Sequence, residues 1–145
     1  MPLESDEEIL ALLSDARSVA VLGIKDDPTE DAHRVPAYLQ SRGLRILPVN
    51  PRLTSTLGEQ AVASLAGLRE TPDVVNVFRA PQHLPRHLPE ILALAPPPRC
   101  VWLQLEIRDD DFARRLEEAG IAVVQDRCLM VDYARLMPVA KPQAP

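Results

Sequence analysis

Four cations stand just beyond apolar runs of this 145-residue chain: Lys25, Arg52, Arg79 and Arg127. The run Ser18-Val19-Ala20-Val21-Leu22 ends on Gly23 and continues into Ile24 and Lys25. Arg45-Ile46-Leu47-Pro48-Val49 is followed by Asn50, Pro51 and Arg52, and Val74-Val75-Asn76-Val77 by Phe78, Arg79, Ala80 and Pro81. Gln104 and Glu106 close the next run; Asp126, Arg127 and Cys128 follow the last. The chain as a whole carries a net charge of -5. Cations gathered where the global sign is negative imply an anionic ligand. Pairing with Asp26, Asp27 and Asp126 is the simpler account of any one cation, and a poorer account of all four.

Several chemistries can be weighed at these positions. A dinucleotide fingerprint needs G-x-G-x-x-G after the first strand and an acid after the second to hold the ribose. Here Lys25 and Pro28 fill the later glycine slots, and Asn50 stands in the acid's place. NAD loses its anchor, whereas NADP stays open because Arg52 offers charge to a 2′-phosphate. His83 and His87 have helical ligand spacing, but no Glu follows His83 and no third ligand is near, so they read as solvent-facing. Cys100 opens an apolar strand and reads as an inert core thiol. Cys128 follows Arg127 near the start of a terminal helix, which favours thiolate and makes it a candidate reactive thiol without a resolving partner. Asp109, Asp110 and Asp111 fit helix capping better than acid–base work. No G-x-S-x-G elbow is present, so enzyme chemistry has little support.

The elements that must position these residues follow from periodicity. Ser5 to Leu13 puts Ile9, Leu12 and Leu13 on one helical face, with Ser5 and Glu8 as a capping box. Val19–Leu22 is a strand buried on both faces. The next helix ends at Gly43 and should begin near Ala32 or His33, so that Pro36 falls in its first turn. Leu44–Val49 is the second strand, Ser64–Leu68 a helical turn and Val74–Phe78 the third strand. Leu84–Leu94 reads as a helix broken or delayed by Pro89. Cys100–Leu105 is the fourth strand, Asp109–Ala119 a helix ending at Gly120, and Ile121–Val124 the fifth strand. This alternation predicts an α/β fold, a Rossmann-like three-layer sandwich with a mostly parallel sheet of five or six strands. In such a sheet the ligand lies beyond the carboxyl ends of the strands.

Composition sets the outer bounds. The length predicts one domain over 1–145, with 138–145 as a frayed tail. No apolar run approaches the ~20 residues needed to span a bilayer, and Glu4, Asp6, Glu7 and Glu8 are wrong for a targeting peptide. The expectation is a cytoplasmic protein with no membrane partner. Net negative charge argues against nucleic acid. Cys100 and Cys128 lack CxxC spacing and read as free thiols. A homodimer or an unidentified protein partner stays open.

The blocks GLRILPVNP, VVNVFRAP, VWLQLEI and VVQDRC, in this order, resemble those of the small stand-alone CoA-binding domain proteins. That family is similar to the N-terminal domain of the succinyl-CoA synthetase alpha subunit. The resemblance runs from about Ser18 to Cys128. It implies a Rossmann-like fold that binds coenzyme A or an acyl-CoA along the carboxyl edge of the sheet. The implied binding residues are Gly23, Ile24 and Lys25 in the first loop, and Val49, Asn50, Pro51 and Arg52 in the second. Phe78, Arg79 and Ala80 follow in the third; Gln104 comes from the W-x-Q block and Arg127 from the D-R-C block. The N–H groups of the Gly23 loop would meet the pyrophosphate, and Lys25 or Arg52 the 3′-phosphate. Apolar Ile24, Val49, Pro51 and Pro81 would flank the adenine, with Gln104 and the Ala80 backbone on the pantetheine amides.

Three departures from the family pattern stand out. Ile24 and Lys25 replace a small residue and a serine, Ala32 replaces a serine, and Glu106 replaces a glycine. The phosphohistidine domain of the synthetase has no counterpart here, so the expectation is binding without ligase activity. Two alternatives remain: a mixed disulfide between Cys128 and the CoA thiol, or an enzyme using another adenine nucleotide such as NADP.

Overall fold

The computed structural model describes residues 4–137. The tail expected over 138–145 lies outside the described residues. The first helix, α1 (Asp6–Asp15), starts where the capping box places it. Glu8 N donates to Ser5 Oγ at 3.2 Å, and Ser5 Oγ donates to Glu8 Oε1 at 2.8 Å. Strand β1 (Ser18–Leu22), helix α2 (Asp31–Ser41) and strand β2 (Arg45–Val49) form the first β-α-β unit. A small hairpin follows, β3 (Ser55–Thr56) and β4 (Glu59–Gln60), turning through Leu57 and Gly58, both at positive φ. Strand β5 (Val74–Val77), helix α3 (Leu84–Leu92), strand β6 (Cys100–Leu103), helix α4 (Asp110–Glu118), strand β7 (Ala122–Val124) and helix α5 (Leu129–Leu136) complete the alternation.

The main sheet has five strands in the order β2-β1-β5-β6-β7, and every pair is parallel. It is an α/β, Rossmann-like fold. Side chains alternate along each strand between two apolar layers. Val19, Val21, Val74, Cys100, Trp102 and Val124 pack with residues of α1, α2 and α5. Ala20, Leu22, Val75, Val77, Val101, Leu103 and Val123 pack with residues of α3 and α4. Continuous apolar runs are what a sheet covered on both faces requires. The chain passes from β1 outward to β2, then returns to place β5 on the other side of β1. The strand order reverses there, and the crevice of a doubly wound sheet opens at that point.

Two proline readings need correction. Helix α2 begins at Asp31, earlier than expected, and Pro36 sits in its second turn. The missing N–H of Pro36 would leave the Ala32 carbonyl without a helical donor. Lys25 N donates to that oxygen instead, at 3.2 Å, which ties the loop after β1 to α2. Helix α3 runs unbroken through Pro89. Pro85 falls in its first turn, and both prolines lie on the exposed side of the helix. Asp109 caps α4 by accepting from Phe112 N at 3.0 Å, as its position predicts. No helix of the described residues is long and apolar enough to cross a membrane.

Candidate functional site

The loops leaving β1, β2 and β5 meet around Gly23. Its φ is +89°, a conformation L side chains rarely adopt. A Cβ there would lie 3.1 Å from the Phe78 carbonyl oxygen and 3.2 Å from Arg79 Cδ. Gly23 N donates to Val49 O at 3.0 Å, and Phe78 N to Leu22 O at 2.9 Å, so the strand ladder carries on into all three loops. Asn50 fastens the second loop to the first. Its Nδ2 donates to Ile24 O at 2.7 Å, and its Oδ1 accepts from Arg52 N at 2.8 Å. The side chain occupying the ribose acid's slot is therefore committed to backbone. The hairpin braces the same region: Thr56 Oγ1 donates to Asp26 Oδ1 at 2.6 Å, and Gln40 Nε2 to Leu57 O at 2.8 Å.

These loops enclose a cleft of about 630 Å³ at the strand-order reversal. Of the residues expected from sequence, Gly23 and Lys25 line it from the first loop, and Val49, Asn50, Pro51 and Arg52 from the second. Phe78, Arg79 and Ala80 line it from the third. Four expected residues stand elsewhere, Pro81 among them, which opens the short turn before α3 without lining the cleft. Ile24 is fully buried in the core and offers only its carbonyl, already taken by Asn50. Gln104 is 5% exposed; its Oε1 accepts from Asn76 Nδ2 at 3.1 Å and from Leu129 N at 2.9 Å. Arg127 is held away by Asp132, with Nε at 2.7 Å from Oδ2 and Nη2 at 3.0 Å from Oδ1. Its charge joins α5 to α1 through Asp132, Arg135 and Asp6.

The electrostatics set this cleft apart. Arg34, Arg45, Arg99, Arg114 and Arg115 are all ion-paired. Arg52, Arg79 and Arg86, which line the cleft, have no ion-pair partner among the described residues. Lys25 pairs with Glu30 at 3.2 Å, an exposed contact that costs little to release. Arg79 Nε is buried and makes no hydrogen bond. A second groove, of about 570 Å³, runs along the outer edge of β2 between Ile46, Val62 and Glu70. It gathers no comparable set of unpaired cations.

One wall escaped the sequence reading. His83, Arg86, His87 and Glu90 all line the cleft, on the approach to α3 and along it. The two histidines were expected to face solvent; instead they are half-buried against the cleft. His87 Nδ1 lies 2.9 Å from Glu90 Oε1. Burial, then the nearby charges of Arg79, Arg86 and His87, push His83 below the ordinary imidazole value. The spacing i, i+3, i+4, i+7 was the available signal, since it places all four on one helical face. The thiols lie outside the cleft. Cys100 is fully buried, which pushes its thiol far up. Cys128 is half-buried at the N-cap of α5.

The arrangement can hold an extended polyanion against a glycine-lined strand end, and known proteins bear on which one. The CoA binding domain family matches residues 17–134. The Bacillus subtilis protein YneT is 35% identical over 130 residues, covering 90% of this chain and 95% of that one. A solved structure from Thermus thermophilus is 52% identical, with TM-score 0.88, covering 92% of this chain and all of that one. An acetyl-coenzyme A synthetase of Ca. Korarchaeum cryptofilum shares the fold at 16% identity and TM-score 0.68, over 79% of this chain and 26% of that enzyme. Membership supports CoA binding in general, and a match over nearly the whole described chain leaves no doubt of the membership. The chain belongs to the CoA binding domain family.

Proposed function

We propose that the protein binds coenzyme A or an acyl-CoA in the cleft at the carboxyl ends of β1, β2 and β5, and that it makes or breaks no bond there. One observation carries this reading: Arg52, Arg79 and Arg86 line that cleft with no ion-pair partner among the described residues and only Glu90 as a lining carboxylate, in an acidic protein whose other arginines are mostly paired. Uncompensated cations around a cleft favour an anion of high charge. Gly23 lets the first loop pack directly against Phe78 and Arg79, which holds the Arg79 side chain at the strand ends where a phosphate would sit. The unpartnered Arg79 Nε gives the ligand a buried donor to satisfy. Apolar contact for the adenine would come from Val49, Pro51 and Phe78.

Each charge-assisted hydrogen bond contributes about 1.5–3 kcal/mol. Two or three of them, with adenine burial and after ordering costs, reach about -8 kcal/mol, micromolar binding. Neither cysteine lines the cleft, so the Cys128 disulfide alternative draws no support from its position. NADP has a similar charge pattern and serves as the control ligand. Calorimetric titration of CoA, acetyl-CoA, dephospho-CoA, NADP and ATP tests the reading. Micromolar binding of CoA or acetyl-CoA, with NADP and ATP weaker by about tenfold or more, is the expected result. NADP or ATP binding as tightly as CoA would overturn it.

A further inference from the structure

The wall that α3 presents to the cleft carries a histidine whose role neither the strand-end pattern nor the family resemblance assigns. The His87 and Glu90 side chains are only 14% and 21% exposed, and Nδ1 of the one lies 2.9 Å from Oε1 of the other. A carboxylate accepts, so Nδ1 donates to Glu90 and Nε2 is the ring nitrogen left for a ligand. Nε2 is itself buried and reaches no hydrogen-bond partner. Arg79, with its own buried and unpartnered Nε, lines the same cleft. The other charged groups facing this space are His83 and Arg86 from the α3 side, Lys25 from the first loop and Arg52 from the second. Ala63 and Ser64 line it without charge, and α4 contributes no lining residue.

We propose that His87, Arg79 and Arg86 form a subsite for a terminal phosphate, a phosphate monoester that shares one proton with His87 Nε2 while the two arginines balance its charge. A terminal monoester brings close to two negative charges and three free oxygens to this cluster near neutral pH, whereas a diester or an internal pyrophosphate unit brings about one charge and two free oxygens per phosphorus. Coenzyme A has one such group, at the ribose 3′ position, and dephospho-CoA has none. The inference rests on the CoA reading for the identity of the ligand, but not for the phosphate chemistry. It moves the 3′-phosphate from Lys25 or Arg52 to the α3 wall, and leaves those two cations to the pyrophosphate.

The chain has three histidines, His33, His83 and His87, so their ring C–H signals can be assigned in NMR spectra by single His→Gln variants. The full chain would be titrated with inorganic phosphate, CoA and dephospho-CoA, alongside calorimetry with the two nucleotides. Phosphate and CoA should move the His87 signals, while dephospho-CoA does not. His87→Gln should weaken CoA by roughly tenfold and leave dephospho-CoA unchanged. CoA binding with the His87 signals unmoved, or moved equally by dephospho-CoA, would overturn the subsite and leave the CoA reading standing. If CoA fails to bind while inorganic phosphate moves His87, the CoA reading falls and the subsite stands. Failure of both ligands removes both.

Discussion

Asn50 Nδ2 donates to the carbonyl oxygen of Ile24 at 2.7 Å, joining the loop after β2 to the loop after β1 across the mouth of the cleft. The same amide accepts from Arg52 N through Oδ1. A residue that would hold ribose in a dinucleotide enzyme here holds the protein's own backbone. Asn50→Asp would set a carboxylate against the Ile24 oxygen and lose the donor. It should cost about 1–3 kcal/mol of unfolding free energy, measured by urea denaturation, and confer no NAD binding. A variant as stable as the parent would show that the staple contributes little.

Gly23→Ala tests the close approach of the strand ends. Both the positive φ and the 3.1 Å approach to Phe78 O oppose a Cβ. The main-chain oxygen cannot retreat without shifting β5, so the loop must move. The expected outcome is a loss of stability of about 1–3 kcal/mol together with loss of CoA binding. Binding at parental affinity would mean that the loop's geometry does not shape the cleft.

Glu106 has φ +68° and accepts no glycine's freedom, yet its N–H donates to Asp126 Oδ1 at 2.6 Å, and Asp126 is itself at φ +57°. A glycine at this position would suit that backbone. Glu106→Gly relieves left-handed strain but adds chain entropy to the unfolded state, so the net gain should be about 1 kcal/mol or less. A rise in Tm would register it, and a fall would mean that the Glu106 side chain stabilises the turn.

Asp132 gives the fold a pH dependence. Burial alone would raise its carboxyl, but hydrogen bonds from Arg127 and Arg135 outweigh that and hold it below the ordinary carboxylate range. A carboxyl whose folded value lies below its unfolded one contributes stability above the unfolded value. That contribution drains away as pH falls through the folded one. Unfolding free energy should therefore drop below about pH 4, and Asp132→Asn should flatten the drop while lowering stability at neutral pH. An unchanged acid profile in the variant would assign the acid sensitivity to other carboxyls.

Much of this architecture is legible in the sequence because the strands are buried on both faces. Runs such as Val74-Val75-Asn76-Val77 need no partner to be recognised, and the glycine, Asn50-Pro51 and Phe78-Arg79 positions follow from where such runs stop. Tertiary contacts hid the rest. The start of α2 depends on Lys25 N capping the carbonyl that Pro36 strips of its donor, a bond from outside the helix. The β3–β4 hairpin is too short for periodicity to announce it. Arg127 sits after a strand like Arg79 does, but Asp132, five residues on, claims its guanidinium. His83 and His87 looked solvent-facing because nothing local reveals that their helix face closes over the strand ends.

Backbone amide mapping by NMR with CoA reads out where the ligand sits. Perturbed amides should cluster at Gly23–Lys25, Asn50–Arg52 and Phe78–His87, with the β2-edge groove around Ile46 and Glu70 unaffected. Perturbations confined to that groove or to β7, with the Gly23, Asn50 and Arg79 amides unmoved by saturating CoA, would contradict a ligand in the cleft.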